Sequence, residues 1–132
     1  MSFDWRSLGY NITFHTARPG LRGLTYTQER RIEIYVRPSD TASGLAHVIA
    51  HEIGHAVDIE RNSVADRAQW LATRGAAADH PWWPGELDDF SSGAGDFAEC
   101  FASWTVGSPS YSRLAGGCDS AAIGLVAQLS AG

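Results

Sequence analysis

The sequence predicts an α+β fold, in which a small mixed or antiparallel sheet is followed by helices. Segments rich in β-branched and aromatic residues are found within residues 10–36, and their alternation of apolar and polar side chains is typical of strands. After residue 40, apolar side chains recur at helical spacing instead. A length of 132 residues is that of a single domain, so we expect one domain spanning residues 1–132.

Three strands are predicted before the helices. Residues 10–15, 24–27 and 32–36 are each rich in residues that favour extended backbone. The polar residues 28–31 between the second and third segments indicate a hairpin. We expect the third segment to form an edge of the sheet.

Four helices are predicted after the strands. Ser39 or Asp40 is a suitable N-cap for the first helix. Ser63, with an acid three residues later, marks the start of the second. Apolar stripes at helical spacing indicate the other two, in residues 93–104 and 120–129.

An irregular stretch between the second and third helices contains two adjacent tryptophans, Trp82 and Trp83. They are candidates for a small core cluster or for one wall of a substrate groove. Aromatic side chains are more often buried than used for binding, so we favour the core. A loop of this length in a small domain is itself typical of a functional or mobile segment.

Composition excludes several classes of partner. A net charge of −5 and a pI near 5.4 give no basic surface for nucleic acid or for an anionic membrane. Neither a membrane-spanning run nor a signal peptide is visible, so we expect a cytoplasmic protein, or a secreted one whose signal has been removed. Cys100 and Cys118 are compatible with one disulfide or with two thiols. We expect a monomer.

The residues that carry chemistry lie in the first predicted helix, where His51, Glu52 and His55 form a His-Glu-x-x-His pattern. Side chains four residues apart share one face of a helix, so both imidazoles can reach one metal ion. Glu52 lies about 100° further around the helix, where it can reach a water on the metal and act as a general base. Imidazole nitrogen suits Zn²⁺, which is the cofactor that we expect.

The flanks of this motif favour a metal site over the alternative of two histidines on the surface of an ordinary helix. Positions 48–50, 53–54 and 56–57 are uncharged, as in a buried helix. Histidines and a glutamate on a buried helix are costly unless something pairs them. The stretch resembles the active-site helix of the zincin metallopeptidases.

A catalytic zinc normally has three protein ligands, and the zincin groups differ in the third. A histidine six residues after the second one is excluded, because Arg61 occupies that position. Another group, the gluzincins, supplies a carboxylate from a later helix. The third predicted helix contains two carboxylates, Asp96 and Glu99.

Residues 51–58 and 97–101 together resemble the catalytic domain of anthrax lethal factor and similar minimal gluzincins. In that pattern the metal-binding glutamate falls at Gly95, which has no side chain to offer. The neighbouring Asp96 is therefore our expected third ligand, and Glu99 is expected to accept the second ring N–H of His51. Glu99 as the ligand itself is the alternative.

The resemblance implies a zincin-like fold and a zinc-dependent endopeptidase that acts on a peptide or protein substrate, with Glu52 as the general base. It also implies that the substrate adds a strand to the sheet edge. His80, Tyr111 and His47 are candidates for contacts to the oxyanion or the substrate. Two other classes stay open: a non-peptidase zinc amidohydrolase, and a catalytically silent zinc-binding or interaction module that would not need Glu52.

Overall fold

Three strands and four α-helices form an α+β fold, as predicted, in a computed structural model that describes residues 1–132. The strands come first along the chain and the helices follow. The strands are β1 (Asn11–Thr16), β2 (Gly23–Tyr26) and β3 (Arg31–Val36). The helices are α1 (Ala42–Arg61), α2 (Val64–Thr73), α3 (Gly93–Val106) and α4 (Ser120–Ser130), and two short 3-10 turns span Trp5–Leu8 and Asp89–Ser91.

The sheet is mixed and has the strand order β1-β3-β2. β2 and β3 form the predicted antiparallel hairpin, whereas β1 pairs with β3 in parallel. The prediction that residues 32–36 form a sheet edge is wrong, because β3 is hydrogen-bonded on both sides and its Ile32 and Ile34 are fully buried. β2 is the edge strand beside α1, and Thr25 Oγ1 donates a hydrogen bond to the backbone carbonyl of Glu52 at 3.0 Å.

Side-chain caps fix where the helices begin. Helix α1 begins after Thr41, whose Oγ1 accepts a backbone hydrogen bond from the first turn at 3.0 Å. The expected cap Asp40 instead accepts a hydrogen bond from a backbone N–H three residues earlier, at 2.7 Å. The cap expected at Ser63 is confirmed, since Ser63 and Asp66 exchange side-chain to backbone hydrogen bonds at 2.8 and 3.1 Å.

The core lies where α1 packs against α3 and against the sheet. Its largest fully buried apolar side chains are Trp70, Phe97, Phe101, Ile32, Ile34, Ile53, Val57 and Val126. A disulfide between Cys100 and Cys118 joins α3 to the segment just before α4. None of the helices combines the length and the apolar character needed to cross a membrane.

Candidate metal centre

Two imidazole rings converge on one face of α1. Nε2 of His51 lies 3.1 Å from Nε2 of His55, and the rings meet edge to face. Two nitrogen ligands of a tetrahedral zinc, each bonded at about 2.05 Å, would lie about 3.3 Å apart. The helical spacing therefore brings the two nitrogens to the separation that a shared metal ion requires.

The carboxylate of Asp89 completes a triangle with these two nitrogens. Its Oδ2 lies 2.6 Å from Nε2 of His51 and 3.0 Å from Nε2 of His55. Burial raises the pKa of Asp89, but the hydrogen bonds from the two histidines outweigh burial and hold the pKa well below its ordinary value. Sequence reasoning missed Asp89, because it lies in the irregular stretch after the tryptophans. The length of that loop was the one signal that pointed to it.

The second ring nitrogen of His51 has the partner that the sequence predicts. Nδ1 of His51 lies 2.7 Å from Oε2 of Glu99, which is fully buried in α3. His47 Nε2 approaches the same oxygen at 2.9 Å, and the backbone N–H of Tyr111 donates to Oε1 at 2.6 Å. Burial raises the pKa of Glu99, but the hydrogen bonds from His47 and His51 outweigh it and lower the pKa to about 2. Glu99 thus contacts the nitrogen of His51 that faces away from His55. This position does not favour Glu99 as a metal ligand.

Two carboxylates flank the His51 ring and favour positive charge on it. Burial lowers the pKa of His51, but its hydrogen bonds to Asp89 and Glu99 outweigh burial and raise the pKa to about 10. The imidazole therefore carries a proton at neutral pH and bridges two carboxylates. The surroundings of this ring stabilise positive charge, which is a requirement for holding a metal cation.

Glu52 stands beside the histidines with one unsatisfied oxygen. The side chain is buried, and Oε2 accepts no hydrogen bond from the protein. Burial also raises the pKa of Glu52. A buried carboxylate oxygen without a partner is costly, and such costs are concentrated at functional sites. One ligand atom from each of His51, Glu52 and His55 lies within 4.8 Å of the other two, so this group could hold a metal ion.

Asp96 lies in a different environment from the one predicted. It is fully buried, and its two oxygens accept hydrogen bonds from Arg74 at 2.8 and 3.0 Å. Trp70 Nε1 and Ser112 Oγ donate to the same carboxylate at 2.9 and 2.5 Å. This corrects the expectation that Asp96 is the third ligand. The side of α3 that faces the histidines presents Glu99, while Asp96 faces α2 and neutralises the Arg74 guanidinium.

Of the three candidates for oxyanion contacts, His80 and Tyr111 do not lie beside His51 and His55 at the cavity. His80 Nε2 contacts the backbone carbonyl of Ser91 at 2.8 Å, so its ring supports the turn that carries Asp89. The Tyr111 side chain is 62% exposed and packs edge-on against His47. Neither residue lines the cavity at the centre, whereas His47 does.

The histidines and Glu52 open into a cavity of about 450 Å³. One wall is the edge strand β2, with Gly23 and Thr25 among its lining residues, and another contains Trp83. The two tryptophans have different environments. Trp82 packs against the core and its Nε1 donates to Asp58 at 2.8 Å, whereas Trp83 is 48% exposed at the cavity. The core interpretation is confirmed for Trp82, and Trp83 is a wall of the groove.

No protein-family model, curated protein or solved structure matches the chain. Any functional assignment therefore depends on the chemistry of the residues at this centre.

Proposed function

We propose that the protein is a zinc-dependent metallopeptidase of the zincin type, in which His51 and His55 hold the metal ion and Glu52 is the general base. The observation that carries this proposal is the unpartnered, buried Oε2 of Glu52 beside two convergent imidazole nitrogens. A site that only bound metal would have no use for an unsatisfied carboxylate oxygen next to the ligands. The same oxygen is what a proton-transfer step requires.

The donor set fits zinc. Two imidazole nitrogens and a carboxylate oxygen approach one another to between 2.6 and 3.1 Å. Nitrogen and oxygen donors in such a set are those that zinc takes in hydrolytic sites, where a fourth position stays open for water. When bound, the ion supplies a Lewis acid and lowers the pKa of a water at the site.

Glu52 is placed to move protons between that water and the substrate. Burial raises the pKa of Glu52 in the direction of neutral pH. This suits a group that must accept a proton and then release it. In peptide hydrolysis Glu52 takes the proton of the attacking water and delivers it to the leaving nitrogen. Glu52 lies close against β2, and it has room there because residue 23 has no side chain: a Cβ atom at Gly23 would lie only 2.8 Å from Cγ of Glu52.

The edge strand β2 supports a peptide as the substrate. β2 pairs with β3 on one side only, and it lines the cavity beside Glu52. An extended peptide that paired with the free side of β2 would form main-chain hydrogen bonds and pass across the centre. Trp83 on another wall offers an apolar surface for a side chain of that peptide.

The experiment that tests this function uses the parent protein and Glu52→Gln. Each is analysed for bound zinc and then incubated with a mixture of cellular peptides, and new termini are identified by mass spectrometry. We expect zinc in both proteins, new termini only with the parent, and none after treatment with a chelator. Zinc without new termini would favour the silent module. A parallel incubation with small N-acyl amides identifies the amidohydrolase, which would cleave these and leave the peptides intact.

A further inference from the structure

A zinc site built on His51 and His55 needs a third protein ligand. We infer that Asp89 is that ligand, and that it is delivered by the short turn Asp89–Ser91 rather than by helix α3. The inference rests on the proposed metal site. Asp89 and Phe90 also line the cavity, so a metal ion bound to Asp89 would hold one wall of the cavity in place.

Asp89 is the carboxylate that touches both imidazoles on the side where their nitrogens converge. Its Oδ2 lies 2.6 Å from Nε2 of His51 and 3.0 Å from Nε2 of His55. The carboxylates of α3 are already engaged. Asp96 is held by Arg74, and Glu99 contacts Nδ1 of His51 on the opposite edge of the ring.

The backbone of this turn packs closely against helix α3 at Gly95. A Cβ atom at Gly95 would lie 1.7 Å from the carbonyl oxygen of Asp89, so the turn can rest here only because residue 95 has no side chain. Ser92 Oγ donates to that same carbonyl at 2.8 Å and accepts from the backbone N–H of Gly95 at 3.0 Å. Asp89 is therefore attached to the first turn of α3 although it does not belong to the helix.

Two further contacts hold the next carbonyls of the turn. The backbone N–H of Arg113 donates to the carbonyl of Phe90 at 2.8 Å, and His80 contacts that of Ser91 at 2.8 Å. Each of three successive carbonyls thus has a partner outside the turn. This fixes the direction of the Asp89 side chain, which is how a ligand on a short turn can be as well placed as one on a helix.

The neighbouring residue provides a matched control. Asp88 carries the same carboxylate one position earlier, but its partner is the exposed Arg113 side chain at 2.8 Å, and it does not line the cavity. Zinc affinity, measured by competition with a chromophoric chelator, should fall by more than about 100-fold in Asp89→Ala, beyond the usual loss of about 10–100-fold for a group that only supports a ligand. Asp88→Ala should bind zinc like the parent.

The contact between Gly95 and the Asp89 backbone gives a second, independent pair of variants. Gly95→Ala displaces the Asp89 backbone without changing any ligand, so zinc affinity should fall at least about 10-fold. Gly124→Ala adds a methyl group to helix α4, where nothing lies within 4 Å of it, and affinity should stay unchanged. Circular dichroism tests whether each variant is folded. Asp89→Asn, which keeps the size of the side chain, replaces Asp89→Ala if the latter unfolds.

Two spectroscopic readouts distinguish a ligand from a residue that only supports the site. The visible absorption of the Co²⁺-loaded protein should change in Asp89→Ala, because loss of a ligand changes the coordination geometry around the ion, and not in Asp88→Ala, whose side chain does not line the cavity. Hydrogen exchange of residues 88–92 should slow on zinc binding in the parent and not in Asp89→Ala. A parent that binds no zinc would overturn the proposed metal site itself. A parent that binds zinc while Asp89→Ala binds it equally well would overturn this inference alone.

Discussion

Oε2 of Glu99 lies 2.7 Å from Nδ1 of His51, across the interface between α3 and α1. The Nδ1–H group donates to the carboxylate, which leaves the lone pair of Nε2 directed towards a metal ion once the Nε2 proton is displaced. The contact also fixes the rotation of the ring. A buried acid on one helix thus orients a proposed metal ligand on another.

Glu99→Gln should lower zinc affinity by about 10–100-fold while the protein still binds one zinc ion. The amide keeps the size of the side chain but cannot act as an anionic acceptor for His51 and His47 at the same time. The measurement is zinc competition at fixed pH. Glu29→Gln, an exposed position in the β2–β3 turn, is the matched control. Equal affinities for the parent and Glu99→Gln would show that the contact does not orient the ligand.

The parts of this centre that sequence reasoning found are those encoded by local spacing. His51 and His55 are four residues apart on one helix, so their proximity follows from helix geometry alone. The contact of Glu99 with His51 was also expected, because a buried acid on a helix between aromatic residues needs a partner. The capping box at Ser63 is equally local and was found for the same reason.

The parts that were missed depend on which segments meet in space. The sequence favours Asp96 as a ligand because it is the carboxylate next to Gly95, and nothing in the sequence indicates that Arg74 reaches it from the end of α2. Asp89 lies on a single turn without periodicity. The close contact of its backbone with Gly95 depends on how two separate segments meet in space. The order of the strands is non-local in the same way, and the sequence alone does not show that β3 lies between β1 and β2.

Glu52→Gln should retain zinc and the fold but lose peptide hydrolysis by at least about 100-fold, the lower end for a general base. Gln is close in size to Glu, and the oxygen that it changes accepts no hydrogen bond from the protein. Initial rates on a peptide that the parent cleaves are compared at equal zinc occupancy. Rates that match the parent would contradict the role of Glu52.

Gly23→Ala should impair catalysis without weakening zinc binding. The new methyl group would lie 2.8 Å from Cγ of Glu52, and the carboxylate must move away from it. A displacement of about 1 Å in a catalytic group can cost about 100-fold in rate. The proposed ligands His51 and His55 are not among the atoms that the added carbon would meet. Gly117→Ala, where nothing lies within 4 Å of the added carbon, should leave rate and affinity as they are; parallel losses of both in Gly23→Ala would indicate general damage instead.

The metal-free protein should lose stability as the pH rises above neutral. The pKa of His51 is raised to about 10 in the folded state from its ordinary value of 6.5. The stabilisation from its proton is therefore fully present below about pH 6.5 and is lost as the pH rises through about 10. The pKa of Glu99 is lowered to about 2 from 4.5, so its contribution is present above about pH 4.5 and is lost as the pH falls through about 2. These two groups together predict a maximum of stability between about pH 4.5 and 6.5.

Urea unfolding in the presence of a chelator measures this dependence between about pH 5 and 10. The free energy of unfolding should fall above about pH 6.5 with a slope of up to about 1.4 kcal/mol per pH unit, the value for one proton. In His51→Gln the slope should be shallower, because the titrating ring is absent. In the zinc-loaded parent the ion replaces the proton, so above about pH 6.5 neither the folded nor the unfolded state holds a proton on His51, and this group should no longer make the free energy of unfolding fall with pH. A metal-free parent whose stability is flat from about pH 6.5 to 10 would show that Asp89 and Glu99 do not hold a proton on His51.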